Sequence, residues 1–146
     1  MVRYKNRYFT AEIIPLDSTT QPLNLKTYDI VTSILNVTEQ IHGEFGAAAI
    51  KNGLEVKYCN QSTQIAVIRC RHGPHRLLAS SLPFLSTISK RKVQLQSIYT
   101  GATMVKCFKF LKKFHQEKIN EALKTCKTEQ EKNNVMEIMS KTNYEI

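Results

Sequence analysis

The segment of residues 54–71 constrains the fold more strongly than any other part of the chain. It contains two runs rich in β-forming residues, 54–59 and 65–71, which are separated by the polar residues 60–64. A short polar connector between two such runs is typical of an antiparallel β-hairpin. We therefore predict that this hairpin forms part of a sheet.

The first strand of the hairpin alternates between apolar and charged residues. Leu54, Val56 and Tyr58 fall on one parity, whereas Glu55 and Lys57 fall on the other. Successive side chains of a strand point to opposite faces of the sheet. The alternation predicts one buried face and one face in contact with water.

The second strand changes character along its length. Residues 65–68 are apolar on both parities, which indicates a central strand covered on both faces. Arg69 and Arg71 then share one face at the end of the strand. We predict a pair of neighbouring cations at this edge of the sheet. The alternative is that both arginines are simply solvated.

The charge of the chain favours a polyanionic partner. Its 146 residues contain 21 Lys and Arg against 12 Asp and Glu, which gives a net charge of +9. This excess predicts attraction to nucleic acid or, less strongly, to an anionic membrane surface. The N-terminus lacks the apolar run of a signal peptide, and no stretch of about 18 apolar residues could span a bilayer. We expect a single domain in the cytosol or nucleus, without a membrane partner.

The N-terminal segment combines basic and aromatic residues. Residues 3–14 predict a first strand, because they are rich in aromatic and β-branched side chains. Arg3, Lys5 and Arg7 share one face of this strand, and Tyr8 lies on the other. Cations next to aromatic rings are typical of surfaces that pair with phosphates and stack on bases. A frayed and solvated terminus is the alternative.

The first helix is predicted from the spacing of its apolar residues. Residues 30–41 carry apolar side chains three and four positions apart, as on one face of a helix. Thr27 is placed to cap this helix and Gly43 to end it. We expect residues 42–49, which are mostly small, to connect the helix to the hairpin.

The segment after the hairpin predicts one more helix and one more strand. Pro74 suits the first turn of the helix, and Pro83 predicts a kink in it. Residues 89–92 then form a basic turn. They lead into a last strand, residues 93–99, in which Val93 and Tyr99 have the same parity.

The order of the elements predicts the fold. A third helix with a cationic exposed side is expected over residues 106–127, followed by a loosely attached polar tail over residues 128–146. The order βαββαβ before them predicts an α+β protein with a ferredoxin-like (RRM-like) sandwich and an additional C-terminal helix. We expect a single RRM-like domain in residues 1–127. Because the strand that carries the aromatic residues of the RNA-recognition motif reads IAVIRCR here, any RNA contact would depend on cations and shape.

No catalytic or metal-binding pattern is recognisable. The four cysteines include no Cys-x-x-Cys pair, which favours buried free thiols over a zinc site or a disulfide framework. Cys70, His72 and His75 are spaced like metal ligands, but no fourth ligand is near in sequence. The chain also lacks a nucleotide-binding loop and a nucleophile–base motif. We expect no intrinsic catalysis and no cofactor bound by the protein, and a small metabolic enzyme is the least favoured alternative.

Several short segments, taken together, are similar to those of a known family. In chain order they are Met1–Tyr8 with Glu12 and Ile13, His42–Ala49, Val56–Tyr58, Ile68–Arg71, Leu82–Phe84 and Cys107–Leu111. In order and spacing they resemble the POP-five protein subunits of ribonuclease P and ribonuclease MRP. The resemblance covers roughly residues 1–126 and depends on no single segment.

The resemblance implies a non-catalytic subunit of a ribonucleoprotein. Its RNA would cleave the 5′ leader of precursor tRNA with Mg²⁺ held on the catalytic RNA, or process ribosomal RNA precursors in MRP. Such subunits have an RRM-like fold, pair with a TIM-barrel-like protein subunit among the other subunits of the particle, and brace the catalytic RNA with precursor tRNA nearby. The nucleus and nucleolus are the implied location.

The chain departs from the family pattern at two places. Residues 101–105 read GATMV where the family usually has GGTIR, so a cation is missing and Lys106 is the adjacent substitute. The acidic tail of some relatives is also absent, which leaves the chain more basic.

The residues predicted to contact RNA are ten cations and one tyrosine. They are Arg3, Lys5, Arg7, Tyr8, Lys57, Arg69, Arg71, Arg76, Lys90, Arg91 and Lys92. The last three are predicted as a second patch. The alternative is a basic protein–protein interaction module that has no direct contact with RNA.

Overall fold

The computed structural model describes residues 3–17, 23–125 and 128–140. The strands are β1 (Asn6–Pro15), β2 (Glu55–Asn60), β3 (Ile65–Arg71), β4 (Thr87–Ile88) and β5 (Arg91–Gly101). The helices are α1 (Thr27–Lys51), α2 (His75–Ser81), α3 (Met104–Thr125) and α4 (Glu129–Ser140). The chain divides into two compact units, Met1–Thr103 and Met104–Ile146.

The strands of the first unit form one antiparallel sheet in the order β2-β3-β1-β5-β4. The predicted hairpin of β2 and β3 is present, and β3 lies between β2 and β1. Without the two-residue strand β4, the order is that of a ferredoxin-like fold, in which each βαβ connection leaves room for a strand between its two members. The predicted fold class is therefore confirmed.

The core of this unit lies on one face of the sheet, which we call the helix face. Phe9, Ala11 and Ile13 of β1 are buried there in one cluster with Ile34 of α1 and Leu78 of α2. The alternation of β1 explains this arrangement, because these three side chains share a parity. Ala66, Ile68 and Cys70 of β3 belong to the same cluster. The alternation along β1 and β3 thus determines which of their side chains face the core.

Strand β1 begins at Asn6 rather than at Arg3. Asn6 pairs with Arg71, the last residue of β3, so no partner strand extends beyond this pair. One further backbone bond follows, in which the His72 N–H donates to the Lys5 carbonyl oxygen at 2.8 Å. Arg3 and Lys5 therefore precede the paired residues of β1, whereas Arg7 lies within the strand.

Two β-bulges change the predicted faces of β2 and β5. The register of β2 skips Lys57, so Tyr58 pairs with Val67 of β3 on the same face as Glu55. The register of β5 skips Ile98 in the same way, so Tyr99 lies on the face opposite Val93. Both predicted alternations were wrong beyond the bulge, because one extra residue reverses the parity of all those that follow.

Helix α1 continues beyond the point at which it was predicted to end. Gly43 has a φ of 77°, which interrupts the regular helix, but helical structure resumes and continues to Lys51. The predicted connector over residues 42–49 was therefore wrong, because its alanines are strong helix formers. Thr27 is the first helical residue and does not cap the helix, since Lys26 occupies the N-cap position without a side-chain hydrogen bond.

In the segment after β3, the two prolines mark the boundaries of the helical elements. Pro74 precedes helix α2, and a short 3₁₀ turn, Leu82–Phe84, follows the helix at Pro83. The predicted kink is thus a change of helix type. Ser89 and Lys90 then form a two-residue turn between β4 and β5, with φ values of 51° and 66°. Positive φ at both turn residues matches the twist of a β-hairpin.

The second unit contains helices α3 and α4. Helix α4 lies in the segment that was predicted to be a loose polar tail, and that prediction missed it. Thr128 Oγ1 accepts a hydrogen bond from the Glu131 N–H at 3.4 Å, and Glu129 and Glu131 lie in the first turn. A capping hydroxyl and acidic residues at the N-terminus both favour a helix there. Residues 126–127 and 141–146, where the predicted third helix and tail end, lie outside the described part of the chain.

Candidate nucleic-acid interface

The predicted contact residues separate into two groups at opposite ends of the sheet. The first residue of β1, Asn6, pairs with the last residue of β3, Arg71, at one end of the sheet. The last residue of β1, Pro15, pairs with Val93 near the start of β5 at the other end. We call the first group the cationic end, and its cations are Lys5, Arg7, Lys57, Arg69, Arg71 and Arg76. We call the second group, Lys90–Lys92 with its two-residue turn, the turn end. Arg3 precedes β1 and is exposed.

The cationic end presents arginines on both faces of the sheet. Arg7 lies opposite Cys70 and shares the helix face with it. Arg69 lies opposite Tyr8 on the other face, and Arg71 follows on that same face. Opposed residues of an antiparallel pair share a face, so this division follows directly from the register. The predicted pairing of Arg69 with Arg71 is present, whereas Arg7 belongs to the other side.

Glu55 joins two of the predicted cations. Its Oε2 accepts a bond from Arg69 Nη2 at 2.8 Å and another from Lys57 Nζ at 2.9 Å. The register explains this, because Glu55 lies directly opposite Arg69 and two positions before Lys57 in the same strand. The hydrogen bond from Lys57, together with the charges of Lys57 and Arg69, lowers the pKa of the Glu55 carboxyl. One carboxylate is shared between two cations, so the trio retains a net positive charge.

Gly53 fixes the position of both arginines. Arg69 Nε donates to the Gly53 carbonyl oxygen at 3.4 Å. A Cβ atom on Gly53 would lie 2.8 Å from Arg71 Cγ, so the absence of a side chain lets the arginine stem cross this turn. The φ of Gly53 is +89°, which also favours glycine. The Arg71 guanidinium lies 4.2 Å from the centre of the Tyr4 ring, in a cation–π contact.

Two histidines lie next to the arginines of the helix face. The rings of His72 and His75 are stacked with their centres 4.8 Å apart. The Gly73 N–H donates to His75 Nδ1 at 2.9 Å, which requires that nitrogen to be unprotonated. Desolvation lowers the pKa of His75, and the positive charges of His72, Arg7 and Arg76 lower it further. The neutral form of His75 is therefore favoured, and the arginines carry the charge of this face.

The turn end is arranged differently. Arg91 Nε and Nη2 donate to the two carboxylate oxygens of Asp17 at 2.9 and 2.8 Å. The hydrogen bond to Asp17 raises the pKa of Arg91. A bidentate pair of this kind holds the guanidinium in one orientation. Lys90 and Lys92 are exposed on either side of it.

Sequence reasoning missed four residues that organise the cationic end. Glu55 was assigned only to a solvated face, and Gly53, Tyr4 and His72 were given no role in positioning the cations. A glycine directly before a predicted strand was the one available signal, because it suggests a close approach of backbone and side chain. The ion pair of Glu55 with Arg69 depends on strand register, which the alternation alone does not specify.

The arrangement can bind anions, and its cysteines are poorly suited to act as nucleophiles. Burial raises the pKa of the Cys70 thiol to about 11, so it stays protonated and is a poor nucleophile. Burial also raises the pKa of the Cys59 thiol. In the described residues no group of three or more His, Cys, Asp and Glu side chains is arranged to hold a metal ion. None of the described helices is long and apolar enough to cross a membrane.

Comparison with known families identifies the chain. The model of the Rpp14/Pop5 family matches residues 7–112, which include the sheet, both of its helices and the start of α3. The chain belongs to the Rpp14/Pop5 family. The resemblance recognised in the sequence is thereby confirmed. All cations of the cationic end except Lys5 lie in the part of this Rpp14/Pop5 chain that the family model matches.

Curated relatives match this Rpp14/Pop5 chain over nearly its whole length. It is 33% identical to the ribonuclease P/MRP protein subunit POP5 of Danio rerio, covering 92% of this chain and 83% of the relative. The POP5 proteins of Bos taurus and Homo sapiens are 31% and 28% identical, covering 97% of this chain and 85% and 89% of the relatives. A chain in the cryo-EM structure of yeast ribonuclease MRP has the same fold, with a TM-score of 0.52 at 14% identity over 80% of this chain and 96% of that chain.

Proposed function

We propose that this chain is a non-catalytic protein subunit of ribonuclease P, and of ribonuclease MRP, that binds and supports the catalytic RNA. The particle would remove the 5′ leader of precursor tRNA and process ribosomal RNA precursors. Membership in the Rpp14/Pop5 family and the names of the full-length relatives support the assignment to this particle. The cationic end supports the proposed role in binding its RNA.

The single observation that carries the RNA contact is the grouping of six cations at the cationic end of the sheet, two of which, Lys57 and Arg69, share the carboxylate of Glu55. Phosphates are the matching ligand, because arginine pairs with them through two parallel hydrogen bonds. Such contacts position an RNA without reading its sequence. Catalytic Mg²⁺ would then be held by the RNA, and the chain would act in the nucleus and nucleolus beside a TIM-barrel-like subunit and the other proteins of the particle.

The test is the double variant Arg69→Ala/Arg71→Ala, assayed for binding to transcribed ribonuclease P RNA and for assembly into the particle. We expect RNA affinity to fall by about tenfold or more per arginine, since a hydrogen bond between charged groups contributes about 1.5–3 kcal/mol. The slope of log affinity against log salt should become shallower by about 2. The matched control, Lys26→Ala/Lys132→Ala, removes two exposed cations elsewhere and should behave like the native chain.

Unchanged affinity in the arginine variant, with its fold intact by circular dichroism, would contradict the proposal. Loss of folding would instead show that Arg69 and Arg71 are structural. In that case Arg76→Ala, which removes an exposed cation at the start of α2, provides the second test of RNA binding at this end.

A protein-interaction module is the second candidate function, and exposed aromatic side chains favour it. Phe45 of α1 is 86% exposed and Phe84 is 68% exposed. Such side chains could contact another protein while the charge served only solubility. Affinity purification with and without ribonuclease treatment separates the two candidates, because only a partner bound through RNA is lost on digestion.

A further inference from the structure

Helix α3 concentrates positive charge on one part of its surface. Residues 104–118 contain five lysines and one glutamate, which contributes +4 of the net charge of +9. Lys109, Lys112 and Lys113 are exposed and lie three and four positions apart, so they are neighbours on the helix surface. We call these three residues the lysine face. In the described part of the chain, no carboxylate lies within 4 Å of their ammonium groups.

This arrangement of charge opposes the stability of the helix that carries it. Neighbouring like charges on a helix repel each other. The first turn of a helix also favours anions through the helix dipole, yet the first turn of α3 contains no acidic residue. The carboxylates of α3, Glu117 and Glu121, lie in its C-terminal half. The pattern of charge on α3 therefore does not stabilise the helix, whereas a polyanion bound to the lysines would offset their repulsion.

The same helix is poorly suited to a membrane surface. An interfacial helix inserts its apolar side into the lipid, which requires that side to be free. Cys107 and Leu111 of α3 are fully buried, and Phe108 is 8% exposed. These three side chains are therefore not free to enter lipid, and the exposed lysine face favours a ligand whose charges lie at its own surface. The phosphate backbone of RNA has this character.

We propose that the lysine face of α3 is a second RNA-binding element, formed by residues other than those of the cationic end, that holds the phosphate backbone of the particle RNA. The inference rests on the proposed function for the identity of the RNA. Lysine acts as a mobile point charge, whereas arginine pairs with phosphate in a fixed geometry. The lysine face therefore tolerates any local RNA sequence and contributes salt-dependent affinity rather than register.

The test compares four full-length proteins in binding to transcribed ribonuclease P RNA between about 50 and 200 mM salt. They are the native chain, Lys109→Gln/Lys112→Gln/Lys113→Gln, the cationic-end variant Arg69→Ala/Arg71→Ala, and a control. The control, Lys26→Gln/Lys124→Gln/Lys132→Gln, also removes three exposed lysines but leaves both surfaces intact. We expect the α3 variant to lose about 2 to 3 in the slope of log affinity against log salt, and the control to lose less than 1.

Thermal unfolding provides the readout that a structural role would change. Removal of the lysine face relieves like-charge repulsion, so the melting temperature of the α3 variant should equal or exceed that of the native chain. A lower melting temperature with proportionally weaker RNA binding would overturn the proposal, because the lysines would then be structural.

The outcomes also distinguish this inference from the proposed function. If the cationic-end variant is weakened while the α3 variant matches the control, the lysine face does not bind RNA although the subunit does. If the native chain itself fails to bind the RNA, the proposed function fails. The inference is also overturned if the α3 variant keeps its RNA affinity but loses binding to vesicles that contain phosphatidylserine, since the lysine face would then serve a lipid surface.

Discussion

The two ends of the sheet use the same kinds of residue for different purposes. At the turn end, Arg91 donates two hydrogen bonds to the carboxylate of Asp17, so the charges of one guanidinium and one carboxylate balance in this pair. At the cationic end, the carboxylate of Glu55 is divided between Arg69 and Lys57. The first arrangement neutralises an arginine, whereas the second orients one and leaves positive charge for a ligand. A count of cations in the sequence cannot distinguish them.

The difference arises from local backbone geometry. The cationic end depends on the register that places Arg69 opposite Glu55 and on the open backbone of Gly53, which the stem of Arg71 crosses. The turn end depends on a two-residue turn with positive φ at Ser89 and Lys90. Substitutions at these positions therefore test whether the two ends differ in function as they do in charge.

The largest effect is expected for Gly53→Val. Its φ of +89° strains any β-branched residue, and the new side chain would meet the stem of Arg71. We expect the free energy of unfolding to fall by about 1–3 kcal/mol and RNA affinity to fall with it. The matched control is Gly43→Val in α1, which has a φ of +77° but no atom within 4 Å of its added Cβ. Denaturant unfolding and RNA titration of both variants provide the measurement.

The Gly43→Val control separates a local effect of Gly53 on the arginines from a general loss of stability. Gly43→Val should also reduce stability, since it imposes the same kind of backbone strain, but it should leave the affinity of the folded chain for RNA near that of the native protein. Equal losses of affinity in the two variants would mean that Gly53 acts through general stability and does not place the arginines.

The order of elements and the helix face of the sheet were predictable because they depend on local pattern. The parity of Phe9, Ala11 and Ile13 places three core residues, and Pro83 marks a real change of helix type. The bulges at Lys57 and Ile98 were not predictable from the sequence. A bulge is an extra residue relative to the paired strand, so it can be recognised only once the pairing of the two strands is known. Helical structure beyond Gly43 was missed because the glycine was interpreted as a stop signal, whereas the alanines that follow it favour a helix.

The candidate site was predictable in composition but not in geometry. Arg69 and Arg71 share a face as their spacing requires, and Arg7 lies at the same end. The ion pairs of Arg69 with Glu55 and of Arg91 with Asp17 join residues that are 14 and 74 positions apart. Their formation depends on which strands are neighbours, which is a property of the complete sheet.

A smaller effect is expected from a matched pair of charge substitutions, Glu55→Gln and Asp17→Asn. Each adds the same unit of positive charge, so a general electrostatic effect would raise RNA affinity equally in both. If RNA binds at the cationic end, Glu55→Gln should raise affinity severalfold more, because it removes the anion that competes with phosphate for Arg69 and Lys57. Titrations at equal ionic strength measure the difference, and equal gains would contradict the assignment of the RNA to this end.

Glu55→Gln also changes how stability depends on pH. The pKa of Glu55 in the folded chain lies below its usual value of 4.5. A carboxyl whose pKa is lowered by folding stabilises the protein above its unfolded pKa, and this contribution is lost as the pH falls through the folded value. The native chain should therefore lose stability relative to the variant below about pH 4.5. Chemical denaturation at pH 7 and pH 3.5 tests the sign, and parallel losses in both proteins would exclude Glu55 as the cause.

The smallest effect is expected at the turn end, for Lys90→Gly. Lys90 has a φ of 66°, so glycine should stabilise the chain by about 1 kcal/mol, and Ser89→Gly should do the same at a φ of 51°. Only Lys90→Gly removes a charge, which makes Ser89→Gly its control. If the turn end is a second RNA patch, Lys90→Gly alone should reduce the salt slope of RNA binding by up to about 1. Equal slopes in the two variants would confine the RNA to the cationic end and the lysine face, because the turn would then contribute to stability alone.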